Sequence, residues 1–120
     1  MPLRSIALAL ALAAALEGCG VGIADINARP NKYYEHKVTF VGRIARTQRL
    51  EACTLLEVAD ARDRRILVRS TEPVDAGTGD WVKVTGVLVA EAKIDGTTLY
   101  DVVAAERIAP TRPPRLQNLM

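Results

Sequence analysis

Val38-Thr39-Phe40-Val41-Gly42-Arg43-Ile44 and, further along, Val82-Lys83-Val84-Thr85-Gly86-Val87-Leu88 are the two stretches whose reading decides the fold. They match position by position. Val38, Phe40, Gly42 and Ile44 share one face by the period of two of a strand, and Val82, Val84, Gly86 and Leu88 do the same. Each stretch carries a glycine in mid-strand, where it costs stability and leaves nothing to pack. A glycine there marks a bulge or a tight bend at a barrel corner. Two bent strands among several short ones predict a small closed barrel.

The rest of the chain supplies the other strands. Thr54 to Ala59 and Arg65 to Ser70 read as strands joined by a charged turn, Asp60 to Arg64. Glu72 to Asp80, with Pro73, Gly77 and Gly79, is a loop. The second glycine-bearing strand runs from Trp81 to Val89. Asp95-Gly96 is the strongest short hairpin signal, and Leu99 to Ala105 returns antiparallel. Ile23 to Arg29 forms one or two helical turns, which Pro30 stops. Pro110, Pro113 and Pro114 end regular structure, leaving 110–120 as an exposed tail. Val, Ile and Leu dominate the apolar residues and aromatics are scarce, so the core is aliphatic and β-branched. The expectation is an all-β, five-stranded Greek-key barrel with a short N-terminal helix, in a single domain over residues 23–109.

The N-terminus carries a different signal. Arg4 precedes an unbroken run of Ala, Leu and Ile from Ile6 to Leu16. That run is too short to span a bilayer, which needs roughly 20 residues. A charge, a short apolar run and a small residue before a break are the parts of a secretory signal. With Leu16, Glu17, Gly18 and then Cys19, this one resembles a bacterial lipoprotein signal. Glu17 departs from the small or aliphatic residue usual there. The resemblance implies removal of 1–18, a diacylglycerol on the Cys19 thiol, an acylated amine and a short tether over 19–22. In that family an Asp after the Cys favours the inner membrane. Gly20 stands there instead, which implies a periplasm-facing protein of the outer membrane.

Glycine placement, alternation and turns together resemble an OB-fold, over about Ile23 to Ile108. The features are the lead-in Asp25-Ile26 with Pro30 and Tyr34, the strand with Gly42, the hairpin from Thr54 to Ser70, the Pro73 to Gly79 loop, the strand with Gly86 and the turn at Asp95-Gly96. The chain looks most like the single-domain OB modules of exported bacterial proteins, with a looser likeness to starvation-type outer-membrane lipoproteins through Thr54 to Val58 and Tyr100 to Ala104. The haem chaperone of that group attaches haem through a His after the barrel. Ala104 to Pro114 contains none, so no haem or other cofactor is expected.

Chemistry is sparsely signalled. His36 is the only histidine, so neither a zinc set nor a Ser/His/Asp set is available. No Gly-rich loop follows a strand and opens a helix. Enzymatic activity is not expected. With Cys19 lipidated, Cys53 has no partner, and its place at the start of an apolar strand favours burial. OB-folds bind oligonucleotides and oligosaccharides on the face of their second and third strands. Arg43, Arg46, Arg49, Arg62, Arg64, Arg65 and Arg69 gather there, offset by Glu51, Glu57, Asp60 and Asp63. No aromatic lies between Val41 and Asp80, so stacking platforms are missing. A net charge of +2 also argues against a dedicated nucleic-acid binder. Arg43, Arg46, Arg65, Arg69 and Trp81 are the candidate ligand-binding residues. The leading expectation is a lipid-anchored, non-enzymatic envelope module that binds a protein partner or small ligand. The alternative is single-stranded nucleic acid or an acidic oligosaccharide on the Arg43 to Arg69 face.

Overall fold

The computed structural model describes residues 21–114. The signal segment 1–18, the lipidation candidate Cys19 and the end of the expected tail, 115–120, lie outside the described residues. Two short helices, α1 (Ile23–Ala28) and α2 (Pro30–Tyr33), precede five strands: β1 (Lys37–Arg49), β2 (Thr54–Ala59), β3 (Arg65–Ser70), β4 (Trp81–Ile94) and β5 (Thr97–Pro110). The strands close into a barrel in the order β1-β2-β3-β5-β4, with β4 returning to β1. Every pairing is antiparallel except the short parallel contact of β3 with β5 at Leu67–Val102 to Arg69–Ala104. This is the all-β Greek-key barrel that the repeated glycine strands predict.

The two glycines close the barrel for the reason their positions suggest. A Cβ on Gly42 would lie 2.5 Å from Val58 Cγ1 and 2.9 Å from the Ala59 carbonyl oxygen. A Cβ on Gly86 would lie 2.9 Å from both the Ala104 carbonyl carbon and Ala105 Cα, with the Ala104 oxygen nearer still. Gly86 adjoins a bulge: Thr85 pairs with Arg107 but Gly86 with Ala105, so Glu106 is the extra residue on β5. A second bulge interposes Ala45 between Ile44 and Arg46 on β1, three positions after Gly42. Extra residues bend a strand and increase its twist. These two let β1 and β5 pass from one neighbour to the next.

The barrel interior is aliphatic, as composition dictates. Val38, Phe40, Ile44, Leu56, Val58, Ile66, Val68, Val82, Val84, Leu88 and Val103 are buried in one cluster. Ile23 and Ile26 on α1 join that cluster, each 1% exposed. The Gly22 N–H donates to Asp25 Oδ2 at 3.0 Å where α1 begins, and Asn27 Nδ2 donates to the Arg65 carbonyl at 3.0 Å, which fixes the helix to β3.

Three local readings need correction. Pro30 ends α1 but also opens α2, where it occupies the first turn; its missing N–H has no helical partner to lose there. Strands β4 and β5 continue beyond Val89 and Ala105, to Ile94 and Pro110. Cys53 is half-buried rather than buried.

Candidate functional site

Cross-strand register fixes what the outer face of β1, β2 and β3 presents, because residues opposite one another project to the same side. Three rows result. The first is Trp81, Arg43, Ala59 and Arg65, running from β4 through β1 and β2 to β3. The second is Arg46, Glu57, Leu67 and Val102, reaching β5. The third is Gln48, Leu55, Arg69 and Ala104. The five candidate ligand residues therefore share one surface without forming one cluster. Trp81 sits beside Arg43 and well away from Arg69.

The first row is an ion-pair lattice. Arg65 Nη1 contacts Glu57 Oε1 at 2.6 Å and Arg65 Nη2 contacts Asp63 Oδ1 at 3.0 Å. Arg43 Nη2 lies 3.6 Å from the same Asp63 oxygen. Hydrogen bonds to Glu57 and then Asp63 hold the Arg65 guanidinium above its ordinary range. The β2–β3 turn is organised by Asp60, whose Oδ1 accepts the N–H groups of Arg62 and Arg64, both at 2.9 Å, and whose Oδ2 pairs with Arg64 Nε at 2.7 Å. Burial pushes the Asp60 carboxyl up, but the Arg64 and Arg62 hydrogen bonds outweigh it and hold the group below the ordinary carboxylate range. Of the carboxylates expected to offset the arginines, Glu57, Asp60 and Asp63 do so through direct pairs. Arg46 and Arg69 form no ion pair among the described residues.

The middle of the same face is apolar. The far half of the β4–β5 hairpin packs there, so that Ala92, Ile94 and Val102 are buried against Leu50, Cys53, Leu55, Leu67, Val89 and Leu99. The hairpin bends at Asp101, a non-glycine residue at φ 56°. Val102 faces this outer cluster and its neighbour Val103 the barrel interior. Tyr34 Oη donates to Asp101 Oδ1 at 2.5 Å and braces the bend. That hydrogen bond, with burial and the Asp101 charge, raises the Tyr34 hydroxyl above its ordinary value. A cleft of about 150 Å³ remains between hairpin and sheet, lined by Arg46, Gln48, Leu55, Leu56, Glu57, Leu67 and Leu99. A second, about 290 Å³, lies beyond the β1–β2 loop and includes Cys53, Arg49 and Glu72 in its lining. Among the described residues, no group of three or more His, Cys, Asp or Glu is placed to hold a metal ion.

Leu55, Leu67 and Leu99 are site residues that the sequence reading does not single out. The signal is present. Leu55-Leu56 and Ile66-Leu67-Val68 are apolar on both strand faces, as strands covered on both sides must be.

No family model matches the chain, and no curated protein is similar to it in sequence. Solved structures do resemble it in shape. An asparaginyl-tRNA synthetase from Pyrococcus horikoshii is 16% identical, with a TM-score of 0.60 over 81% of this chain and 24% of that one. An OBody bound to hen egg-white lysozyme is 14% identical, with a TM-score of 0.62 over 79% of this chain and 96% of that one. The telomere capping protein Ten1 from Saccharomyces pombe is 17% identical, with a TM-score of 0.56 over 82% of this chain and 86% of that one. The fold is an OB-fold. The chain spans about a quarter of the synthetase, so the likeness there is to one part of a larger protein. In OB-fold terms the cleft lies on the face of the second and third strands.

Proposed function

We propose that this chain is a lipid-anchored, non-enzymatic binding module of the cell envelope, and that it holds a protein partner or small ligand in the cleft over β2 and β3. The cleft carries the reading: Leu55, Leu67 and Leu99 place aliphatic surface where a nucleic-acid binder would place stacking rings. On the neighbouring row Arg43 and Arg65 are already engaged by Glu57 and Asp63. A phosphate backbone would have to displace those carboxylates. The similar structures do not choose between the readings, since one caps telomeres and another is bound to lysozyme. The anchor rests on the lipoprotein-like segment ending at Cys19. Several acyl chains hold a protein stably at a membrane, at about 0.8 kcal/mol per buried methylene.

Two experiments test this reading. Mass spectrometry of the mature N-terminus from membranes is expected to show a diacylated, N-acylated peptide beginning at Cys19; an unmodified or intact N-terminus refutes the anchor. Co-purification from solubilised membranes is expected to retain one partner with the wild-type chain and with Trp81→Ala, and to lose it with Leu67→Asp. A partner that survives Leu67→Asp removes the cleft from the account. Titration with oligothymidine separates the alternative. The proposal expects weak binding without steep salt dependence, whereas a phosphate-binding face gives a strong fall with salt.

A further inference from the structure

The cleft is apolar at its centre but not at its edges, and the charges on its rim are unequal. Arg46 stands opposite Glu57 across the β1–β2 pair, where an ion pair would be expected. Glu57 instead gives its Oε1 to Arg65 Nη1 at 2.6 Å. Arg46 is exposed, and no carboxylate comes within ion-pairing distance of it among the described residues. Arg69 stands next to Leu55 on the β2–β3 pair and is likewise without an ion pair there. The other charges nearby do not compensate. Glu91 and Lys93 are exposed on the hairpin and alternate with Ala92 and Ile94, so they project away from the cluster. The aliphatic cleft thus has the Arg46 guanidinium in its lining and Arg69 beside Leu55 at its edge, both without a carboxylate partner among the described residues, whereas Arg43, Arg64 and Arg65 on the same surface are paired with carboxylates.

From this we infer that the occupant of the cleft is an extended segment of a partner protein in which Asp or Glu stands two residues to either side of an aliphatic residue. The inference rests on the cleft being the binding face and adds the chemistry of what binds there. Arg46 on β1 is two strand spacings from β3 and level with Leu67, two residues before Arg69, so the two arginines stand roughly 12 Å apart. A single small carboxylate satisfies one of them and leaves the other. Residues of an extended chain advance about 3.3 Å each and alternate faces, so acidic residues two positions to either side of an aliphatic one project to its side, roughly 13 Å apart, and reach both arginines while the aliphatic group enters the 150 Å³ cleft. Arg suits this role because its planar fork pairs with a carboxylate bidentately. Arg46 and Arg69 are then the residues that determine specificity, and Leu55, Leu67 and Leu99 supply the contact area.

The test is fluorescence anisotropy of labelled peptides with the purified mature chain. The probes are GEELLEEG, its lysine counterpart GKKLLKKG and its serine counterpart GEESSEEG, with oligothymidine as a fourth. The acidic leucine peptide is expected to bind at least about tenfold more tightly than the other two peptides and than oligothymidine. Arg46→Glu with Arg69→Glu is expected to weaken that binding at least about tenfold and to favour the lysine peptide. Arg46→Gln with Arg69→Gln should weaken it without reversing the preference. Both substitutions are at solvent-accessible positions, and circular dichroism confirms that the barrel is intact. Equal binding of both leucine peptides, lost with Leu67→Asp, overturns the charge inference and leaves the cleft as the binding face. Absence of binding by either leucine peptide at about millimolar concentration overturns both. Tighter binding of oligothymidine, abolished by Arg46→Gln with Arg69→Gln, assigns the arginines to phosphate and overturns the protein-segment reading.

Discussion

Replacing Gly86 with alanine asks whether close approach of β4 to β5 closes this barrel. The added Cβ would meet the Ala104 carbonyl carbon and Ala105 Cα, both at 2.9 Å, and the Ala104 oxygen at a shorter distance. All three are backbone atoms. They belong to a strand paired with β4 from Thr97 to Pro110, and with β3 at Ala104 itself. No side chain can rotate to relieve the contact, so the ladder must shift next to its bulge. Overpacking of this kind costs about 1–3 kcal/mol, and rigid backbone places Gly86→Ala at the top of that range, about 3 kcal/mol. For a domain of this size that lowers Tm by roughly 12–24 °C. Gly42→Ala is expected to cost less, about 2 kcal/mol, because its closest obstacle is the Val58 methyl at 2.5 Å, which can move, although the Ala59 carbonyl oxygen at 2.9 Å cannot. Gly77→Ala is the control: nothing lies within 4 Å of its Cβ, and the change is expected to be neutral or stabilising by up to about 1 kcal/mol. Urea and thermal unfolding of the three variants measure the order. A Gly86→Ala protein as stable as Gly77→Ala would refute the close-approach account of both glycine strands.

Other consequences follow from the residues bracing the face. Tyr34→Phe removes the bond to Asp101 that holds the hairpin bend. Because the Tyr34 hydroxyl is raised in the folded state, its contribution is complete below the unfolded value near 10 and is lost as pH rises through the folded one. Urea midpoints should therefore fall on alkaline titration in the wild type and less in Tyr34→Phe. Asp60 has the opposite sign: its carboxyl is lowered, so its stabilisation is present above about pH 4 and disappears as pH falls through the folded value. Asp60→Asn should be less stable at neutral pH and show a shallower loss on acid titration. Ile23→Ala, at a helix residue 1% exposed in the barrel cluster, is expected to cost about 2–5 kcal/mol, measured by urea unfolding.

The barrel is legible because its determinants are local. Gly42 and Gly86, the alternation around them and the turn chemistry of Asp60 to Arg64 and Asp95-Gly96 give strand positions, with β2 and β3 read to the residue. The far half of the hairpin is less legible. Ala90, Glu91 and Ala92 have weak strand preference, and pairing with Thr97 to Tyr100 together with burial of Ala92 and Ile94 against Leu50, Cys53 and Leu55 keeps that stretch extended. The same burial hides the cleft from a reading that assigns each strand one apolar face. The pairing of Arg65 with Glu57, in preference to Arg46 with Glu57, depends on side-chain placement across three strands. Charge counting shows that carboxylates offset the arginines but not which arginines remain free. Cys53 reads as core from its apolar neighbours, yet it lies half-buried in the lining of the second cleft.

Site-specific photo-crosslinking tests the central claim most directly. A photoreactive residue is placed at Leu99, inside the cleft, and separately at Trp81, on the ion-paired row, in the chain as expressed in cells. Crosslinked peptides are then sequenced by mass spectrometry. The account predicts a discrete protein adduct from position 99, attached at an aliphatic residue with acidic neighbours, and little from position 81. An adduct from position 81 with none from position 99 would contradict it and would move the binding face to the row of Trp81, Arg43 and Arg65.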